Sequence, residues 1–317
     1  MATLFTPNNK EVEEDPGIKI NGAPIRLEPN PKILGVTFDP MATFSPHIAE
    51  TVKKAKSKLN ILKSLASSSW GQDKETILIT YKSICRSVLE YSNPIWSPSI
   101  CQTNWDKLQV IQNKALRIAN GCLTLSGIDH LHQETKVLPI KEHATMLTKQ
   151  FTASFTNPTH PGFKHFLLAP PPRNIKKSLT NHKQCIISYQ DRGLSVKETI
   201  KRIHTDTVQD IIPKLEENRV LKDKPPDIDP SELTLPRKCR TELARLRSGF
   251  SRNLKSYMSR IDPEVVDKCP ECDTSPHDVE HVFNCPMNPT ELDPSDLWLR
   301  PTEVAAFLKL DDDIPGD

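Results

Sequence analysis

Near the carboxyl end the sequence reads Cys269-Pro270-Glu271-Cys272, followed by His277, His281 and Cys285. Two thiolates two residues apart can wrap one ion from a tight turn. A His and a Cys four apart lie on one face of a helix and can close a tetrahedron. The preferred set is Cys269, Cys272, His281 and Cys285, spaced C-x2-C-x8-H-x3-C. Exchanging Cys285 for His277 gives the alternative C-x2-C-x4-H-x3-H. Three soft sulfurs and an imidazole favour a structural Zn²⁺ over harder cations. His130, His132, His143, His160 and His165 have no nearby Cys and no His-x3-His spacing. They read as satisfied core or surface histidines.

Just upstream lies the second stretch able to do chemistry. Arg237, Lys238, Arg240, Arg245, Arg247, Arg252, Lys255 and Arg260 face one acid, Glu242, for a local charge of +7. Leu243, Leu246, Phe250, Leu254, Tyr257 and Ile261 fall at helical spacing, which predicts one amphipathic helix with a basic outer face. Such a face suits phosphates. An ordinary helix face paired to acids distant in sequence is the competing reading. Lys53, Lys56 and Lys63 form a further basic face, on a helix described below.

The elements that must carry these groups are mostly helices. Proline outnumbers glycine 28 to 10, which argues for helix stops and extended connectors and against a glycine-turned barrel. The start is extended: Thr3–Thr6 reads as a strand, Ile18–Ile20 and Pro24–Leu27 as a hairpin about Asn21-Gly22, and Lys32–Phe38 as a third strand. Three such strands would normally complete a larger sheet. Ser45 and Pro46 then open a helix striped by Ile48, Val52, Ala55, Leu59, Leu62 and Leu65. A second begins at Asp73 with Ile77, Tyr81, Ile84, Val88 and Tyr91 inward and stops near Pro94. A third runs from about Thr103 to Asn120-Gly121. Helices also cover roughly Ile128 to Thr135, Ile140 to Phe155 and Ser195 to Glu216. A proline-rich arm with Pro170-Pro171-Pro172 interrupts them. The last residues, Glu291 to Asp317, carry a net −6 and read as a solvated tail.

No early segment has the apolar core of a signal peptide, and no apolar run is long enough to span a bilayer. No membrane partner is therefore expected. Eight cysteines, five of them scattered singly, suggest a reducing, intracellular setting, nuclear or cytoplasmic.

Taken together, these residues resemble a known family. Thr3-Leu4-Phe5-Thr6-Pro7 with Lys32–Asp39 looks like the end of the palm in non-LTR (LINE-type, jockey-like) retrotransposon reverse transcriptases. Ser92-Asn93-Pro94-Ile95-Trp96 and Leu108–Arg117 resemble the thumb that follows, and Cys269–Pro286 resembles the terminal cysteine-histidine knuckle. The resemblance implies a mainly α chain, α+β overall. Its parts would be the end of the palm (1–44), a helical thumb (45–156), a proline-rich arm with connecting helices (157–236), a basic helix with knuckle (237–290) and an acidic tail (291–317).

The resemblance also implies a parent polymerase that copies RNA into DNA at a nicked target with Mg²⁺ held by palm carboxylates. Its partners would be RNA, DNA and the rest of the polymerase polypeptide. Leu34-Gly35-Val36 would match the hairpin that grips the primer end. The family's Tyr/Phe-Ala-Asp-Asp turn is nowhere in this sequence, and the adjacent aspartates Asp311, Asp312 and Asp313 sit in the acidic tail. No catalytic residue is therefore assigned. Phosphoryl transfer needs carboxylates that position metal ions, so this chain alone is expected not to polymerise. The expectation is a fragment of such an enzyme or a decayed copy of the element. The alternatives are a stand-alone zinc-dependent RNA/DNA-binding module and an interaction adaptor.

Overall fold

The computed structural model describes residues 1–12, 14, 16–67, 71–168 and 182–310. Within them the chain is mainly α, as expected, with four two-residue strands. In chain order these are β1 (Lys19–Ile20), β2 (Ala23–Pro24), β3 (Lys32–Ile33), β4 (Val36–Thr37), α1 (Ser45–Leu65), α2 (Lys74–Thr80), a π-helical segment (Tyr81–Arg86), α3 (Ser87–Leu89), α4 (Asn93–Trp96) and α5 (Gln102–Asn120). There follow α6 (Ile128–Thr135), α7 (Ile140–Ser154), α8 (Phe163–Leu168), α9 (Lys183–Gln190), α10 (Val196–Ile211), α11 (Arg237–Arg247), α12 (Lys255–Ile261), α13 (Val279–Asn284), α14 (Asp296–Leu299) and α15 (Pro301–Phe307). No helix among the described residues is long and apolar enough to cross a membrane. The chain folds as two compact units.

The first unit takes Met1–Ser57, Cys85–Gln112 and Leu138–Ile211. The Asn21-Gly22 hairpin forms as read, with both turn residues at positive φ, Ile20 opposite Ala23 and Lys19 opposite Pro24. The two other extended readings change. Thr3–Thr6 is not a strand; the nearby Ala2 makes one bridge to Leu27. Lys32–Phe38 is not one strand but a second hairpin, because Leu34 (φ 47°) and Gly35 (φ 85°) turn the chain between β3 and β4. Such a left-handed pair closes a two-residue hairpin turn. Tyr91 braces this turn, donating its hydroxyl to the Leu34 carbonyl at 3.1 Å.

Behind the hairpins, α7 packs against α4, α9 and α10. Asn93 ties α4 to α7 by donating to the Ala144 carbonyl at 2.6 Å, and Trp96 meets Trp105 at a tilt of 45° with ring centres 5.7 Å apart. The second helix changes register where it becomes π. Ile77 and Tyr81 point inward as expected, but the wider turn then brings Cys85 and Leu89 inward in place of Ile84 and Val88. Tyr91 is left exposed. The proline triplet and Asp311–Asp313 fall outside the described residues.

The second unit takes Lys58–Ile84, Asn113–Val137 and Ile212–Asp317. Its core is one cluster of Cys239, Leu243, Leu246, Phe250, Leu254, Tyr257, Val279, Phe283, Leu297, Trp298, Val304, Ala305 and Leu310. Two expectations are corrected here. The stretch 237–261 is two helices, not one. Gly249 (φ 73°) donates to Leu246 O at 2.8 Å and Phe250 to Arg245 O at 3.1 Å, the paired bonds of a glycine-terminated helix. The apolar periodicity survives the break because Phe250 and Leu254 fall back onto the same core, although Ile261 is exposed. Residues 296–310 are also no solvated tail, since Leu297, Trp298, Val304, Ala305 and Leu310 are core residues. Net charge misled because these few apolar positions decide where the segment goes.

Candidate metal centre

The four expected ligands converge. Cys269 and Cys272 sit on one turn, fixed where Cys269 N–H donates to Thr274 O at 2.9 Å and Asp273 N–H to Cys269 O at 2.9 Å. His281 and Cys285 come from α13 and its C-cap, and Asp278 caps that helix by accepting the His281 N–H at 3.0 Å. Three sulfurs and an imidazole nitrogen all lie within 4.8 Å of one another. Cys269 and Cys285 sulfurs are 3.8 Å apart, and Cys272 Sγ is 3.3 Å from His281 Nε2. A tetrahedral Zn²⁺ with bonds of about 2.3 Å to sulfur and 2.0–2.1 Å to nitrogen needs edges of about 3.8 Å and 3.5 Å. The donor set fits.

His277 is engaged elsewhere. Its Nδ1 accepts the Lys255 N–H at 3.0 Å, its carbonyl accepts the Ser256 N–H at 3.2 Å, and its own N–H donates to Asp267 at 2.8 Å. It thereby satisfies the free donors that begin α12. Burial lowers its pKa, so its ring stays neutral and able to accept. The thiols differ in acidity. Hydrogen bonds from Thr274, then from Cys269 and Cys285, bring Cys272 down to about 6, whereas withdrawal from water raises Cys285.

The knuckle is not free-standing. Val279 and Phe283 belong to the same core as α11, α14 and α15, with Val282 packed at its edge. Its inner face is therefore already covered by apolar side chains of the same core.

The basic stretch is placed quite differently from its sequence reading. Arg247 is fully buried, donating to Glu134 at 3.0 Å, to Leu297 O at 2.9 and 2.6 Å, and to Glu232. Arg240 is buried and pairs with Glu75 at 2.6 Å. Arg245 pairs with Glu242 at 3.3 Å and donates to Gly121 O at 2.9 Å. Arg237 donates to Ile118 O and Ala119 O, the last carbonyls of α5. The face called basic and outward is thus, at these four positions, turned inward onto carboxylates and helix-end carbonyls. Lys238 is half-exposed, and Arg252 and Lys255 are exposed. Lys74 joins the same network at 3.2 Å from Glu134 and 3.6 Å from Glu232. Burial would raise the Glu134 pKa, but Arg247 and Lys74 outweigh it and hold the carboxyl below its usual range.

In α1 the face assignment agrees with the sequence reading. Leu59 and Leu62 are buried, while Lys53, Lys56 and Lys63 are exposed and have no ion-pair partner among the described residues. Leu34 and Gly35 form the exposed tip of their hairpin, and Val36 is buried beneath it. His130, His132, His143 and His160 all have hydrogen-bond partners within their own units.

Comparison with known proteins gives two partial matches. Over 160 residues, 50% of this chain and 18% of the relative, it is 22% identical to a probable RNA-directed DNA polymerase from transposon BS of Drosophila melanogaster. Over 125 residues, 39% of this chain and 14% of the relative, it is 28% identical to a probable RNA-directed DNA polymerase from transposon X-element of the same fly. The matched stretch is under a fifth of either relative's length. No protein-family model and no solved structure matches the chain. The similarity supports a relation to transposon reverse transcriptases.

Proposed function

We infer that the chain is the carboxy-terminal portion of a non-LTR retrotransposon reverse transcriptase, holding template-primer nucleic acid without supplying the catalytic carboxylates. The observation that carries this reading is the convergence of Cys269, Cys272, His281 and Cys285 in a chain similar to transposon RNA-directed DNA polymerases. In it, the knuckle residues hold a structural Zn²⁺, which adds to the stability of a fold already packed on α11. The exposed lysines of α1 meet phosphates, and the Leu34-Gly35-Val36 turn approaches the primer end. Arg240 and Arg247 are removed from the nucleic-acid face, since reaching a phosphate would strip buried carboxylates of their partners. Mg²⁺ belongs to the parent enzyme only, and the rest of that polypeptide is the natural partner of the small hairpins. The setting is the nucleus or cytoplasm.

A stand-alone RNA/DNA-binding module is the second reading, favoured by the self-contained core of the second unit. Binding to labelled primer–template duplex across a salt series tests the nucleic-acid claim common to both. Lys53→Glu, Lys56→Glu and Lys63→Glu together are expected to reduce the slope of log K against log salt by about 2.7 if each lysine meets one phosphate. An unchanged slope would move the contact off α1.

A further inference from the structure

The arginines of the second unit divide into two kinds. Arg237, Arg240, Arg245 and Arg247 are consumed by carboxylates and carbonyls. Arg219 and Arg260 are exposed, and among the described residues neither guanidinium has an ion-pair or hydrogen-bond partner. Yet both converge on one ring: Arg219 Cζ lies 4.7 Å and Arg260 Cζ 5.8 Å from the Phe250 centroid. They line a cleft of about 470 Å³ that also contains Lys222, Ser256 and Tyr257.

Arg219 is held, not waving. A Cβ at Gly249 would meet its Cδ at 3.4 Å, so its stem lies against bare backbone at the end of α11. Its loop is pinned by Asn218, whose side chain accepts the Val220 N–H at 2.8 Å and donates to Arg247 O at 3.0 Å. Contact with an aromatic face uses the flat side of a guanidinium and leaves its in-plane N–H donors free.

The cleft's carboxylates have other engagements. Asp267 accepts the His277 N–H, Asp278 caps α13, and Glu280 lies 3.5 Å from Lys222. Arg219, with its stem held, and Arg260 present guanidinium N–H donors over one ring, and such donors match an anion that accepts several in-plane hydrogen bonds, as a phosphate does. Phe250 is only 7% exposed, so the ring serves as a floor for the arginines and not as a stacking platform for a base.

We propose that Arg219 and Arg260, held over Phe250, form a phosphate clamp that takes the backbone of a single-stranded RNA. This rests on the nucleic-acid reading above and adds a site distinct from the α1 lysines. The test uses the full, zinc-loaded chain and a labelled single-stranded RNA, read by anisotropy over a salt series. Arg219→Ala with Arg260→Ala should weaken binding roughly tenfold and flatten the salt slope by about 1.4, two phosphates at about 0.7 each. Lysines at both positions keep the charge but lose the fork, and should recover only part of the affinity. Arg260→Ala alone, whose head group is in solvent, guards against loss of fold and should flatten the slope by about 0.7. Unchanged affinity and slope in these variants, with the parent chain still binding, overturn the clamp and leave the nucleic-acid reading standing. If the parent chain binds no RNA, that reading fails by itself, and inorganic pyrophosphate then decides the clamp. A rise in melting temperature that needs both arginines keeps it as a site for free phosphate; no rise overturns it.

Discussion

At the scale of single residues, the metal ligands were legible and the arginines were not, for one physical reason. A cysteine pair two apart and a His-Cys pair four apart are brought together by a turn and one helical turn, so spacing alone carries the geometry. The partners of Arg247 and Arg240 lie elsewhere: Glu134 is 113 residues from Arg247, and Glu75 is 165 from Arg240. A run of eight basic residues with one local acid looks solvated until the fold delivers those carboxylates. His277 could have been set aside only by knowing that it serves α12. Its engagement leads to a prediction. Cys285→Ser should lower Zn²⁺ affinity sharply, because it removes a thiolate from the shell. His277→Ala should leave one Zn²⁺ per chain and affect chiefly the folding of α12. Competition with a chromogenic chelator reads both. Loss of zinc from the His277 variant, with Cys285→Ser still loaded, would favour the two-cysteine, two-histidine set.

At the scale of elements, helix positions were recovered well wherever a stripe ran at constant pitch. Ile128–Thr135 is as read, and the Ile140 helix ends one residue early at Ser154. Failures came where the backbone changed pitch or turned. The π segment shifted an inward face by one position, the Leu34-Gly35 turn split a strand, and Gly249 ended a helix whose apolar pattern ran on. Periodicity counts residues and does not see such changes. The element that most repays testing is α11, packed through Arg247 between Glu134 and Glu232. Arg247→Ala would leave two buried carboxylates without their guanidinium and should cost about 3–5 kcal/mol in denaturant unfolding. The pH dependence follows from Glu134, whose carboxyl is held below its usual range in the fold. The stability it contributes is present above its unfolded value, about 4.3, and is lost as pH falls through its lower folded value. The raised pKa of Arg247 plays no part, since it titrates only at high pH. The melting temperature should fall below about pH 5, and Glu134→Gln should reduce that dependence. An acid profile identical to that of the parent chain would remove Glu134 from the account.

At the scale of the whole molecule, the mainly helical class was legible from helix stripes and proline stops. The division into two units, each assembled from three separate stretches, was not. Linear boundaries follow composition, whereas compact units follow contacts between distant stretches. The acidic tail shows the same effect, with five core residues inside a segment whose net charge suggested solvent. The proposed function at this scale rests on what the chain holds. It brings four candidate metal ligands together and exposes a lysine face on α1. The most direct test is therefore one primer–template assay on the zinc-loaded chain, read for both binding and extension. A salt-sensitive complex with primed RNA and no extension with either Mg²⁺ or Mn²⁺ is expected. Extension abolished by a mutation within this chain, or no complex with primed RNA at low salt, would contradict it.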